Sequence, residues 1–369
     1  MLRILDSVEL IKKIDKSSML SFCVDASRHY VRAARLGKTV SVRYSEPTNI
    51  VVAGMGGSGI GGELLKDWTR DKIKVPIEVC REYSLPAYAN KKTLVFVVSY
   101  SGETEESLSA FLDALKRKCM TVCVSSGGKL HEIAERLGLP NLRVPSGMAP
   151  RAALPYLFVP MPLILEEMGL VSGASAEIPE VAKILKLVSL ENSPEKPLSG
   201  NFAKMLAAKI SGTIPVVYGF GIYRAVAQRF KTQFNENGKI PARWEYFSEL
   251  NHNDIVGWEE ARALTKNFSL IFLRDSDGES DDLQLRIETT QRLTRGKSLR
   301  AFQVCSKGKG RMAKMLSVLL TGDFTSVYLA ILRGIDPTPV KTIKALKEKL
   351  AESGLKSRVV SELEKIASK

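Results

Sequence analysis

The chain has 369 residues, with 54 Lys and Arg against 40 Asp and Glu and a formal charge of +14. At roughly 150 residues per domain that length suggests two domains, and a hydrophobic share of 44% excludes wholesale disorder. No stretch reaches the roughly 18 uninterrupted apolar residues of a membrane helix.

The predicted elements begin with an N-terminal segment, 1–45. Ile4, Val8 and Ile11 recur at helical spacing there, and the charges of MLRILDSVELIKKIDKS suit an amphipathic helix better than a secretory signal. A first α/β segment, 46–170, opens with the apolar run Ile50–Gly54, which leads into MGGSGIGGELLKDW as strand, glycine turn and helix. Further strands are predicted at Val75–Val79, Leu94–Ser99, Thr121–Ser125 and from Leu142, alternating with helices. Continuous apolar strands alternating with helices indicate a parallel sheet covered on both faces. Residues 171–200, rich in Ser, Gly, Pro and Glu, read as a connector of linker or short helices. The pattern restarts in a second segment, 201–335. PVVYGFGIYRAVAQRFKT repeats the strand–turn–helix of VVAGMGGSGIGGELLKDW about 165 residues later, as an internal duplication would. Strands are predicted at Phe268–Leu273 and Leu299–Cys305, and 336–369 is a C-terminal helical segment.

Cys23, Cys80, Cys119, Cys123 and Cys305 form no Cys-x-x-Cys pair, and His29, His131 and His252 lie far apart in sequence. No metal site is expected, and buried reduced thiols in a cytoplasmic protein are the plain reading. The basic residues are dispersed along helical segments. Neither nucleic acid nor membrane is expected as a partner, whereas an attraction for phosphorylated small molecules fits the charge.

Two segments carry the chemistry. GMGGSGIGG, Gly54 to Gly62, is a glycine turn opening a helix, where free N–H groups favour an anion. Its letters contain Gly-x-Gly-x-x-Gly, the dinucleotide pattern. Against a nucleotide stand Ser58 in mid-turn and the lack of a well-placed acidic residue about 20 positions on. SYSGETEES, Ser99 to Ser107, follows an apolar strand and presents Ser99, Ser101 and Thr104 at a helix start. One hydroxyl suffices for a helix cap, and neither Ser101 nor Thr104 has the acid or Gln three residues on that completes a capping box. Three hydroxyls so close together suit an anion cradle.

These two segments resemble the sugar isomerase (SIS) fold. With APRAALPYL (Ala149–Leu157), FNENGKIPA (Phe234–Ala242), ELNHNDIVGW (Glu249–Trp258) and DPTPVKTIKALK, nearly the whole chain is similar to the bifunctional phosphoglucose/phosphomannose isomerases. The resemblance implies two SIS-type doubly wound parallel-sheet domains, related by duplication and sharing one phosphosugar. It implies an aldose–ketose isomerase that joins glucose 6-phosphate and mannose 6-phosphate to fructose 6-phosphate through an enediolate, with no cofactor and no metal.

Residue by residue, the resemblance places the phosphate at Gly56, Gly57, Ser58, Ser99, Ser101 and Thr104. It makes Glu236 the base, His252 and Lys347 the ring-opening pair and Arg151 the cation at the enediolate. Thr338 takes the position associated with accepting the mannose epimer. A homodimer in which His252 acts in trans is implied as well. The residues themselves are compatible with plainer roles. Glu236 could be an exposed helix-terminal carboxylate, although flanking amides could orient it. Arg151, beside so much Ala and Leu, is either a ligand contact or a stem whose head reaches solvent. Lys341, Lys344, Lys347 and Lys349 share one helix, where most must be solvated. His252, between two asparagines, titrates in a range that suits proton transfer. Two rivals remain at this point: a phosphosugar-binding SIS regulator without catalysis, and an aminosugar-phosphate isomerase.

Overall fold

A computed structural model describes residues 2–260, 262–275 and 277–368. The chain divides into two compact units. One comprises Arg28–Ile178 with Val340–Lys369, the other Met1–Ser27 with Pro179–Pro339.

The first of these is built on β1 (Asn49–Ala53), β2 (Ile77–Cys80), β3 (Thr93–Val98), β4 (Met120–Ser125) and β5 (Asn141–Arg143). All pair in parallel, in the order β2-β1-β3-β4-β5. Every residue of β3 and β4 is buried, as expected of central strands with helices on both faces. Helices Gly56–Thr69, Glu105–Lys116 and Gly128–Arg136 make the crossovers. The chain leaves β1 toward β2 on one side and returns to β3 on the other. The loops after β1 and β3 therefore part over a crevice, the place where open parallel sheets bind ligands. Helix Leu355–Ala367 closes this unit. Its Val359 and Leu363 join the apolar cluster of Val95, Phe111 and Ile133. Lys129 Nζ lies 3.0 Å from a Glu364 carboxylate oxygen, and Arg136 also pairs with Glu364. Such exposed pairs contribute little, so the apolar burial holds the helix.

The second unit carries β6 (Ile214–Phe220), β7 (Arg243–Phe247), β8 (Phe268–Arg274) and β9 (Arg300–Cys305), all parallel in the order β7-β6-β8-β9. The first four strands of the other sheet follow the same second-first-third-fourth order, which supports the duplication. Helix Arg224–Glu236 packs on helix Arg311–Leu332. The contact is close: a Cβ on Gly322 would stand 2.4 Å from the Phe230 ring. Beside it, the buried Arg229 guanidinium meets Asp323 at 3.0 Å. Helix Arg311–Leu332 is long and apolar enough to cross a bilayer, but its apolar window is 94% buried inside the protein.

Several expectations need correction. The segment read as a connector contains an 18-residue helix, Ala174–Glu191. Its Val181, Leu185 and Val188 are buried at helical spacing, and burial outweighs Pro179 inside it. Four cysteines are buried as expected, but Cys305 is exposed.

Candidate active site

The crevice between the ends of β1 and β3 gathers the hydroxyls singled out in the sequence. After β1 the chain turns through Gly56, whose φ of +51° favours glycine, into helix Gly56–Thr69. Gly59 is obligatory for a second reason: a Cβ there would lie 2.4 Å from the Gly54 carbonyl oxygen. Ser58, in the first turn, accepts a hydrogen bond from Tyr100 N–H at 3.3 Å. After β3, buried Ser99 donates its hydroxyl to Thr104 Oγ1 at 3.0 Å. Ser101 is exposed and accepts from Glu103 N–H at 3.2 Å. Thr104 is the N-cap of helix Glu105–Lys116, yet its side chain makes no cap bond. The first amides of that helix are thus left to an outside acceptor.

Arg151 belongs to the same place. The Gly57 Cα faces the turn Pro150–Arg151 so closely that a Cβ would stand 3.0 Å from Pro150 O and 3.1 Å from Arg151 Cα. The side chain is 2% exposed, so its head does not run to solvent. Tyr100 ties this approach to β3. Its hydroxyl donates to Pro145 O at 3.1 Å and accepts from Met148 N–H at 2.8 Å. Hydroxyls and unpaired helix amides on one crevice, with the buried Arg151 beside it, favour a dianion attached to a polar body.

In the second unit the equivalent crevice, between the ends of β6 and β8, holds its own carboxylate. Asp275 is buried and accepts from Tyr223 Oη at 2.9 Å and Lys314 Nζ at 2.9 Å. An internal anion there competes with an external one.

Glu236 ends helix Arg224–Glu236 and is half-buried. Each of the flanking amides has a partner of its own. Asn235 Nδ2 donates to Ile240 O at 2.8 Å, and Asn237 Nδ2 donates to the buried Ser326 Oγ at 2.9 Å. These bonds fasten the chain on both sides of Glu236. Lys239 Nζ donates to the Glu236 carbonyl and, at 2.9 Å, to Pro337 O. That lysine joins the Glu236 turn to the segment carrying Thr338, whose N–H donates to Asp336 Oδ1 at 3.0 Å.

His252 follows a short 3-10 turn after β7 and is exposed, with its N–H on Glu249 O at 2.9 Å. Its neighbours are fixed. Asn251 Nδ2 donates to Thr290 Oγ1 at 2.9 Å, and Asp254 accepts from Arg243 at 2.6 Å and from the Tyr218 hydroxyl. Burial first, and Asp254 second, push the Tyr218 hydroxyl well above its ordinary range, so it remains a donor. Lys347 is exposed on helix Lys341–Ala351, in the unit of the hydroxyl crevice. Tyr100 and Lys239 were not singled out in the sequence, although both lie in the motifs quoted above. Among the described residues no group of three or more His, Cys, Asp and Glu is placed to hold a metal ion.

The fold is similar to that of a hypothetical protein from Thermus thermophilus, with a TM-score of 0.73, 16% identity and 94% of each chain covered. Residues 200–350 match the family described as the bacterial phospho-glucose isomerase C-terminal SIS domain. A bifunctional phosphoglucose/phosphomannose isomerase of Caldicellulosiruptor bescii is 41% identical over 324 residues, 87% of this chain and 95% of the relative. Its counterpart in Thermoplasma acidophilum is 35% identical over 311 residues, 84% of this chain and 92% of the relative. Likeness at that identity along nearly the full length of such relatives settles kinship, and the chain belongs to the bifunctional phosphoglucose/phosphomannose isomerase family.

Proposed function

We propose that this protein interconverts glucose 6-phosphate and mannose 6-phosphate with fructose 6-phosphate. The observation that carries the reading is the crevice at the ends of β1 and β3, where Ser58, Ser99, Ser101 and Thr104 stand with the backbone of Gly57 against the buried Arg151 turn. Together with family membership, it supports a site that anchors a sugar by its phosphate and meets negative charge near the reacting carbons.

The chemistry assigns a role to each group. His252 and Lys347 exchange protons with the ring oxygen and O1 to open the pyranose. Glu236 takes the C2 hydrogen as a proton. The electron pair left behind forms the C1–C2 double bond, and O1 becomes the oxyanion that Arg151 stabilises. Return of the proton to C1, with the O2 proton passing to O1 as C2=O2 forms, gives the ketose. Glu236 re-protonating C2 on either face accounts for both epimers, and Thr338 is the side chain we place beside that choice. Phosphate anchoring contributes by positioning, since binding energy far from C1 and C2 then acts on the reaction.

The exposure of His252 on a fastened loop supports its action in a neighbouring subunit of a homodimer. Cytoplasmic localisation and a place in glycolysis and gluconeogenesis belong to the same proposal. The test is an assay of purified protein on fructose 6-phosphate with EDTA present, scoring both aldose phosphates separately. Formation of both supports the reading. Absence of either aldose phosphate from an active preparation overturns the bifunctional part, and absence of both overturns the whole.

A further inference from the structure

A second pocket opens on the unit that carries the hydroxyl crevice, beside the ends of β4 and β5. It has a volume of about 280 Å³ and is lined by Arg32, Ser126, Arg143 and Ser146 over an apolar floor of Leu36, Val144 and Pro145. Both arginines are exposed at its rim, and no carboxylate lines it. Two guanidiniums facing one cavity repel each other unless an anion lies between them. Arg143 forms no ion pair or hydrogen bond within the described residues.

We propose that this pocket is a second anion site, built for a phosphate-sized oxyanion. Arg143 stands at the end of β5, and the following residue, Val144, is fixed by its N–H on Ser125 O at 2.9 Å. Arg32 comes from helix Ala26–Gly37. Ser126 uses its proton on Tyr100 O at 2.7 Å, and Arg32 already hydrogen-bonds the Tyr156 side chain, so the donors to a bound oxyanion are the Arg143 guanidinium, the remaining N–H groups of Arg32 and the Ser146 hydroxyl. Paired forks of this kind hold a tetrahedral oxyanion better than ammonium groups do. The volume lies at the lower limit of ligand pockets, about 300 Å³, which restricts the occupant to phosphate itself or a phosphate monoester with a tail of two or three carbons. None of the crevice residues lines this pocket, so the site is separate from the one assigned to substrate. Tyr100 touches both, with its N–H on Ser58 and its carbonyl on Ser126.

Equilibrium dialysis of the full chain with radiolabelled orthophosphate tests the proposal. The wild type should bind phosphate at this site, and Arg32→Ala/Arg143→Ala should weaken that binding at least tenfold. Ser101→Ala/Thr104→Ala, which alters the other crevice, should leave it in place. The idea is overturned if the arginine pair variant binds as the wild type does, or if the Ser101/Thr104 variant binds none. Melting curves by circular dichroism verify folding. Arg143→Gln, a change at one exposed side chain, should show the same loss if the double variant does not fold. A parallel titration with 2-phosphoglycolate separates sources. Tighter binding than orthophosphate by tenfold or more marks a small phosphorylated metabolite as the ligand, and equal or weaker binding marks free phosphate.

Discussion

Ser99 Oγ donates to Thr104 Oγ1 across 3.0 Å, so the N-cap hydroxyl of helix Glu105–Lys116 is directed by its neighbour and not by the helix it begins. A cap bond would have made Thr104 a stability residue. This geometry suits the binding role proposed for it. Thr104→Ala should raise KM for phosphorylated substrates about tenfold, equivalent to the roughly 1.5 kcal/mol of a hydrogen bond to a charged group. The melting temperature should stay close to that of the wild type, and Thr104→Ser should restore KM. Steady-state kinetics beside a thermal melt separates the two roles.

Glu236→Gln removes the carboxylate proposed as the base without disturbing the backbone that Asn235, Asn237 and Lys239 hold in place. Loss of a general base costs about 10²- to 10⁴-fold in rate. The expected result is a kcat reduced on that scale, with fructose 6-phosphate still bound in a calorimetric titration. Turnover at the wild-type level would return Glu236 to the status of a helix-terminal surface carboxylate.

His252→Ala should slow reaction of cyclic aldose phosphates at least tenfold more than reaction of the open-chain form. Tyr218→Phe acts on the same loop at one remove, because the Tyr218 hydroxyl donates to Asp254 and accepts from Trp258 Nε1 at 3.0 Å. That variant should lower kcat severalfold on cyclic substrate with little change in KM. Equal losses on cyclic and open-chain substrates would contradict a ring-opening role for the loop.

Gly57→Ala places a methyl 3.0 Å from Pro150 O and displaces the Arg151 turn by a few tenths of an ångström. Misplacement on that scale is costly where a charge must meet a developing oxyanion. We expect kcat to fall by about tenfold, and Arg151→Lys to fall further because a point charge replaces the planar fork. Stopped-assay kinetics on both variants is the check.

Gly322→Ala drives a methyl into the Phe230 ring, with contacts at 2.4 to 2.6 Å before relaxation. Overpacking of this kind costs about 1–3 kcal/mol. Phe230 lies on the helix that ends at Glu236, so stability and kcat should fall together. Chemical denaturation with parallel activity measurements tests the pairing.

Much of this was legible in the chain. Runs such as TLVFVV and IPVVYGF are continuous and apolar because both faces of their sheets are covered, and the glycine turn after β1 announces a helix start suited to an anion. Thr104 illustrates the limit. Its position before a helix reads equally as cap or ligand, and only the Ser99 contact separates the two. Helix Ala174–Glu191 was hidden by its Ser, Gly and Pro content, although Val181, Leu185 and Val188 already stood at helical spacing. Asn235 and Asn237 also reach the Ile240 carbonyl and the Ser326 hydroxyl, partners that no local pattern names. The pairing of Glu364 with Lys129 joins residues 235 positions apart, which no local pattern encodes.

Helix Leu355–Ala367 has a consequence for how the protein is made. It supplies Val359 and Leu363 to a cluster whose other members lie between Val51 and Ala134. A ribosome therefore has to release helix Leu355–Ala367, long after the strands it covers, before that sheet can close its interior. Until then Phe111 and Ile133 wait beneath an uncovered apolar face, the kind of surface that draws chaperones or sticks to another unfinished copy.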